Sequence, residues 1–231
     1  MLIEVSGIRK QYGALRPLRV NAWQLPPGGR VTLRGFDAQA AEMFSLLLTG
    51  AALPDEGAVT VAGRDTRDIA TDTEWLESLD LFGMVTGRAV LLDTLTVEAN
   101  LALPFTLSID PVPEEIRRAV ADLADEVGLG RERLSASVQS LSPADRVRLH
   151  LARALAVSPQ LLVLEHVSAP LAPADAALLG RSLVTIADDR SLAWIALSED
   201  DAFVEALGGT VLTLDAGTGD LKPARSGWKL W

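Results

Sequence analysis

Cysteine is absent from the 231 residues. That excludes disulfides, zinc-thiolate sites, iron–sulfur clusters and thiol nucleophiles. Histidine occurs only as His150 and His166, too few for a histidine-rich metal centre. No apolar run approaches the roughly 18 residues that a membrane-spanning helix needs. The opening residues, MLIEVSGIRKQYG, lack the apolar core of a secretory signal, so a cytoplasmic chain is the expectation. Positive charge is also in deficit: 21 basic against 31 acidic residues, net −10. A protein built to neutralise nucleic-acid phosphates shows the opposite balance, so no nucleic-acid partner is expected. Lysine is scarcest of all. Only Lys10, Lys222 and Lys229 occur, and the other basic residues are arginine.

What is present is apolar and well patterned. Hydrophobic residues make up 48 %, enough to offset the ordering entropy of a folded core. Leu2–Val5 reads as an edge strand. Leu18–Leu25 and Arg30–Leu33 read as strands on either side of a Pro26-Pro27-Gly28-Gly29 turn. Gly35 follows, and Ala38–Thr49 reads as a helix stopped by Gly50. Strand, glycine turn, helix is the layout of a phosphate-binding unit. A short strand is expected at Ala58–Val61 between turns.

Residues 90–156 are helical in character. Ile116, Val120, Leu123 and Val127 recur at helical spacing within Pro113–Val127, and Ser142 precedes a helix over Pro143–Ala156. Leu161–Leu164 and Ala193–Leu197 are continuous apolar runs, as in a parallel sheet covered on both faces. Ala172–Ala187 reads as the helix between them, and Val211–Leu214 as the last strand. The pattern is α/β with a helical insertion.

The order of these landmarks resembles the ATP-binding cassette family, the nucleotide-binding subunits of ABC transporters. "IRKQYGAL" resembles the stretch whose aromatic residue stacks on adenine, which assigns Tyr12. "LPPGGRVTLRG" resembles the strand entering the phosphate loop, and "LLLTGAALPDEGAVTVAGRD" the segment after it. "LLDTLTVEANLALP" resembles the start of the helical subdomain, most closely that of systems that move lipids or lipoproteins or act mechanically at the envelope. "SLSPADRVRLHLARALAVSPQLLVLEHVSAPL" resembles the signature helix and the strand behind it. The resemblance implies a P-loop NTPase-like core with an N-terminal antiparallel β part and an inserted helical subdomain. It divides the chain into 1–89, 90–156 and 157–231.

The same resemblance marks departures from the family's chemistry. The phosphate loop GxxGxGK[ST] falls on Gly35, Phe36, Asp37, Ala38, Gln39, Ala40, Ala41 and Glu42. Only the first glycine is kept, Ala41 stands for the lysine, and Glu42 for the hydroxyl that holds Mg²⁺. Two unit charges near 4 Å interact by about 4 kcal/mol at an effective dielectric near 20, so Asp37 and Glu42 should repel a triphosphate. The water- and Mg²⁺-sensing glutamine falls at Gly87. LSGGQ becomes Leu141-Ser142-Pro143-Ala144-Asp145, in which Ser142 reads as a helix cap with Asp145 as its capping-box partner. The strand-end Asp-Glu pair becomes Glu165-His166, and the switch histidine becomes Glu199. Because His166 and Glu199 exchange residue types at neighbouring strand ends, a charge-assisted hydrogen bond between them is expected.

Taken together, the resemblance implies an ABC-type subunit without working catalytic residues and without a metal site. It would bind ATP with Mg²⁺ weakly or not at all. It would sit peripherally on the inner face of the membrane, against membrane-embedded transporter subunits. An ATPase-competent paralogue or a second copy would be its dimer partner. The alternatives are a working ATPase in which Arg34 or Arg88 replaces the lysine, and a scaffold that takes no nucleotide. The Trp228–Trp231 tail reads as a segment for a membrane, a partner or its own domain.

Overall fold

A computed structural model describes residues 1–223, and the Trp228–Trp231 segment lies outside the described residues. Its first layer is a four-stranded antiparallel sheet. β1 (Ile3–Lys10) pairs with β2 (Leu18–Leu25) on one side and with β4 (Glu56–Val61) on the other; β4 also carries the short β5 (Arg64–Asp65). β1 is therefore twice as long as the expected edge strand and central in its sheet. The alternation Ile3, Val5, Ile8 buries one face, and the register slips between Ser6 and Arg9. Gly57 lies against that irregularity. A β-carbon there would stand 2.3 Å from the Gly7 carbonyl, so glycine is required.

The second layer is a six-stranded sheet in the order β10-β9-β3-β8-β7-β6. β3 (Arg30–Arg34), β6 (Phe82–Thr86), β7 (Leu161–Glu165), β8 (Ala193–Leu197) and β9 (Thr210–Asp215) run parallel. β10 (Asp220–Pro223) returns antiparallel, so β9 is not the last strand. β2 and β3 flank the proline-glycine turn as expected but enter different sheets.

Both faces of this sheet are covered, which is why β7 and β8 read as unbroken apolar runs. Side chains alternate across a strand. Val163, Ile195 and Leu33 join the core beneath α1 (Ala38–Leu48), while Leu162, Leu164 and Trp194 join the helical core on the other face. Each fully buried side chain of this kind contributes about 1.5–3 kcal/mol. The helical side holds α3 (Val97–Ala102), α4 (Glu114–Glu126), α5 (Pro143–Ala156) and α6 (Pro173–Arg190). α2 (Asp72–Leu79) precedes β6, and α7 (Asp201–Leu207) follows β8. Among the described residues no helix is long and apolar enough to cross a membrane.

Candidate nucleotide-type site at the strand ends

The carboxyl ends of β3, β7, β8 and β6 lie side by side, the position where open α/β sheets bind ligands. Register fixes the neighbours: Leu33 faces Leu197, Leu197 faces Glu165, and Glu165 faces Thr86. The residues one or two beyond these ends form the site.

At the end of β3 the chain turns at Gly35, with φ +83°. A β-carbon there would meet the Leu214 carbonyl at 2.6 Å, so the one loop glycine that remains is needed for the backbone path itself. Phe36 turns inward and packs on Phe44 with ring centroids 5.2 Å apart. Asp37 caps α1, its Oδ1 accepting the Ala40 N–H at 2.8 Å. Ala41 is completely buried and presents nothing to the cleft. Glu199, from the end of β8, accepts the Gly35 N–H. Two main-chain donors of this loop are therefore held by carboxylates of the chain itself.

Glu42 and Glu165 meet one cation. Arg88, on the loop after β6, donates from Nη1 to Glu42 at 2.7 Å and from Nη2 to both oxygens of Glu165 at 2.8 and 2.6 Å. Glu165 is only 6 % exposed, and Arg88 is the sole hydrogen-bonding partner of its carboxylate among the described residues. Arg34 donates to Asp201 at 2.6 Å. Both arginines considered as replacements for the loop lysine are thus already engaged with acids. No group of three or more His, Asp or Glu suited to a metal occurs among the described residues.

The expected His166–Glu199 hydrogen bond is not formed. His166 does sit against β8, its N–H donating to the Leu197 carbonyl at 2.9 Å, but its backbone is left-handed (φ +46°). Its Nε2 is buried with no hydrogen-bonding partner among the described residues. The physical reason is that β8 lies between β3 and β7. The Glu199 carboxylate satisfies the otherwise orphaned Gly35 N–H on the β3 side instead.

Tyr12 is half-buried and lines a cavity of about 560 Å³ with Arg16, Arg19, Gly35, Asp37 and Ala40. Burial and the charge of Asp37 push its phenol pKa up. Gly87 lies on the exposed loop beside Arg88, with open space where a side chain would begin. Ser142 caps α5, accepting the Asp145 N–H at 3.1 Å. The capping box is only half made, because the Asp145 carboxylate turns to Arg148 at 3.2 Å instead.

One positioning residue escaped the sequence reading. Asn100 is fully buried in α3 and clamps the loop that carries Arg88. Its Oδ1 accepts the Leu92 N–H at 2.8 Å, and its Nδ2 donates to the carbonyls of Leu92 at 3.1 Å and Thr96 at 3.0 Å. The available signal was a lone amide among the small and apolar residues of the short helix VEANLA.

Comparison with known proteins converges on one group. The family profile described as ABC transporter matches residues 23–167. The methionine import ATP-binding protein MetN of Mesorhizobium japonicum is 32 % identical over 217 residues, 94 % of this chain and 58 % of the relative. The lipoprotein-releasing system ATP-binding protein LolD of Pseudomonas syringae is 32 % identical over 143 residues, 62 % of each. The chain spans between 34 % and 62 % of the length of such curated relatives. A nucleotide-free ATP-binding cassette from an ABC transporter superposes with a TM-score of 0.78 at 17 % identity, covering 95 % of this chain and 89 % of the other.

Proposed function

The chain belongs to the ABC transporter family, and on that premise we propose that it is a cassette subunit which keeps the fold and its partner surfaces but does not hydrolyse ATP. One observation carries the reading: two main-chain donors of the loop that should wrap a phosphate are taken by carboxylates of the chain itself. The Gly35 N–H is given to Glu199 and the Ala40 N–H to Asp37. Main-chain N–H groups at such a turn recruit anions, and here the anions are side chains of the chain itself.

The donor set does not fit a magnesium nucleotide. The loop brings no side-chain cation, since Ala41 is buried and Arg34 and Arg88 are paired. It brings the charges of Asp37 and Glu42 where a triphosphate needs attraction. Gly87 has no side chain with which to place a water, and the Ser142 hydroxyl is committed to its helix cap. No hydrolytic step is assigned to this chain.

The partner role has separate support. Val90, Leu92, Phe105 and Leu107 are exposed apolar side chains on the loop after β6 and the connections of the helical part. In the proposed assembly this surface meets membrane-embedded transporter subunits at the inner face of the membrane. An ATPase-competent paralogue or a second copy forms the other half of the cassette pair. The relatives' names cover methionine and lipoprotein systems, so we assign cargo choice to the membrane partner.

The test is thermal unfolding of the full chain with and without excess Mg·ATP. Binding to the native state alone raises stability by RT ln(1 + [L]/Kd), about 2.7 kcal/mol at one hundred times Kd. The expected result is no shift and no phosphate release above a mock preparation. A nucleotide-dependent rise in Tm, or turnover that Glu165→Ala abolishes, would sink the reading.

A further inference from the structure

We propose that the Arg88 guanidinium is the resident cation of this site. It holds the seat between Glu42 and Glu165, so that the chain carries a built-in replacement for a divalent metal. The proposal deepens the non-hydrolysing reading and rests on it. P-loop enzymes hold their metal between the residue after the loop lysine and an acid at the end of a neighbouring strand. In this chain those two positions are Glu42 and Glu165. Both are carboxylates, and one guanidinium joins them: Nη1 to Glu42 at 2.7 Å, and Nη2 to Glu165 at 2.8 and 2.6 Å.

Burial makes the cation obligatory. The Glu165 side chain is 5 % exposed, while Arg88 and Glu42 are each 43 % exposed. A carboxylate that deep needs a countercharge with directed hydrogen bonds. Arginine supplies one that neither dissociates nor loses its proton, and its planar fork spans two acids at once. Arg88 is also fixed at its root, because its N–H donates to Thr86 Oγ1 at 3.3 Å. One side chain thereby ties the end of β6, the second turn of α1 and the end of β7.

The consequence is specific. The triad sums to −1; without Arg88 it leaves two carboxylates facing one seat. Hard divalent cations bind through one or two carboxylates and complete their shell with water. Loss of Arg88 should therefore create a metal site that the natural chain lacks.

The experiment titrates Mn²⁺, without nucleotide, into the metal-stripped full chain and reads free Mn²⁺ by electron paramagnetic resonance alongside Tm. Wild type is expected to bind at least about tenfold more weakly than Arg88→Met. Mn²⁺ at one hundred times its Kd should raise the Tm of Arg88→Met by about 5–10 °C. Adding Glu165→Gln should abolish the gain. If Arg88→Met is unfolded in metal-free buffer, restoration of its cooperative transition by Mn²⁺ supports the proposal, and no restoration overturns it. Equal binding by wild type and Arg88→Met overturns it too, as does a gain that survives Glu165→Gln. Because nucleotide is absent, these outcomes are separate from the Mg·ATP test, whose failure would be read on wild type alone.

Discussion

Replacing Asn100 with alanine tests whether the loop carrying Arg88 is held by one buried amide. Asn100 is 0 % exposed and makes three hydrogen bonds, two to the backbone of Leu92 and one to the Thr96 carbonyl. A typical internal hydrogen bond contributes about 0.5–1.5 kcal/mol net, and a buried group left unpaired costs about 1–3 kcal/mol. Leu92 is exposed, so water reaches part of its backbone after the change and the lower range applies there. The sum is a loss of about 2–4 kcal/mol. For a chain of this size each kcal/mol lowers Tm by about 2–4 °C, so Tm should fall by about 4–16 °C. Urea unfolding followed by circular dichroism gives the same quantity as a shift in midpoint at constant slope. A second readout separates clamp from filler. Backbone amides of 87–95 should lose hydrogen-exchange protection more than those of β7 and β8. A loss under about 0.5 kcal/mol, or equal loosening everywhere, would refute the clamp.

Three further outcomes follow from the site and its supports. Gly35→Ala should cost about 2 kcal/mol or more in chemical denaturation, because φ is +83° and the new β-carbon meets the Leu214 carbonyl at 2.6 Å; a neutral result would show that β9 moves aside freely. Ser142→Ala should cost about 1 kcal/mol, the worth of an N-cap; a stability equal to wild type would show the cap idle. Burial, and then Arg153 and Arg146, lower the His150 pKa from 6.5 to about 4. The native state therefore keeps His150 neutral while the unfolded state takes the proton, so its contribution is complete above about pH 6.5 and lost as pH falls toward 4. His150→Gln should flatten that limb of the stability curve, and an unchanged limb would exclude His150 as its source.

The parts of the fold that were legible are those where one local rule acts alone. α5 starts at Pro143 because serine caps and proline at the first turn agree, and β8 is bounded as read because both its faces are buried. α2 and β6 went unread for physical reasons. α2 has no fully buried residue, so it leaves no apolar stripe. β6 is interrupted by Gly83, where a β-carbon would stand 2.7 Å from Leu162 Cδ2; packing against β7 demands the residue that weakens the strand signal. β1 was read short because Gly7 and its irregular register break the alternation that marks its first half.

The neighbouring strand ends are legible in the sequence, and the partners of their side chains are not. Placing His166 and Glu199 at neighbouring strand ends was sound, since Leu197 accepts the His166 N–H. Pairing their side chains assumed that complementary residue types seek each other. The stronger demand came from the main chain. A strand-to-helix turn presents donors that its own helix does not use. In a working loop a phosphate satisfies them; in a loop without lysine and with two acids, some other acceptor must. Asp37 is three residues from Ala40 and takes that N–H as an ordinary cap. Glu199 is the acid on the adjoining strand and takes Gly35. Those choices leave Glu42 and Glu165 with no main-chain donor, and Arg88 is the cation that reaches both. In the proposed non-hydrolysing chain these contacts are coupled: with Glu199 and Asp37 on the Gly35 and Ala40 N–H groups, Glu42 and Glu165 pair with the one cation that reaches both, Arg88.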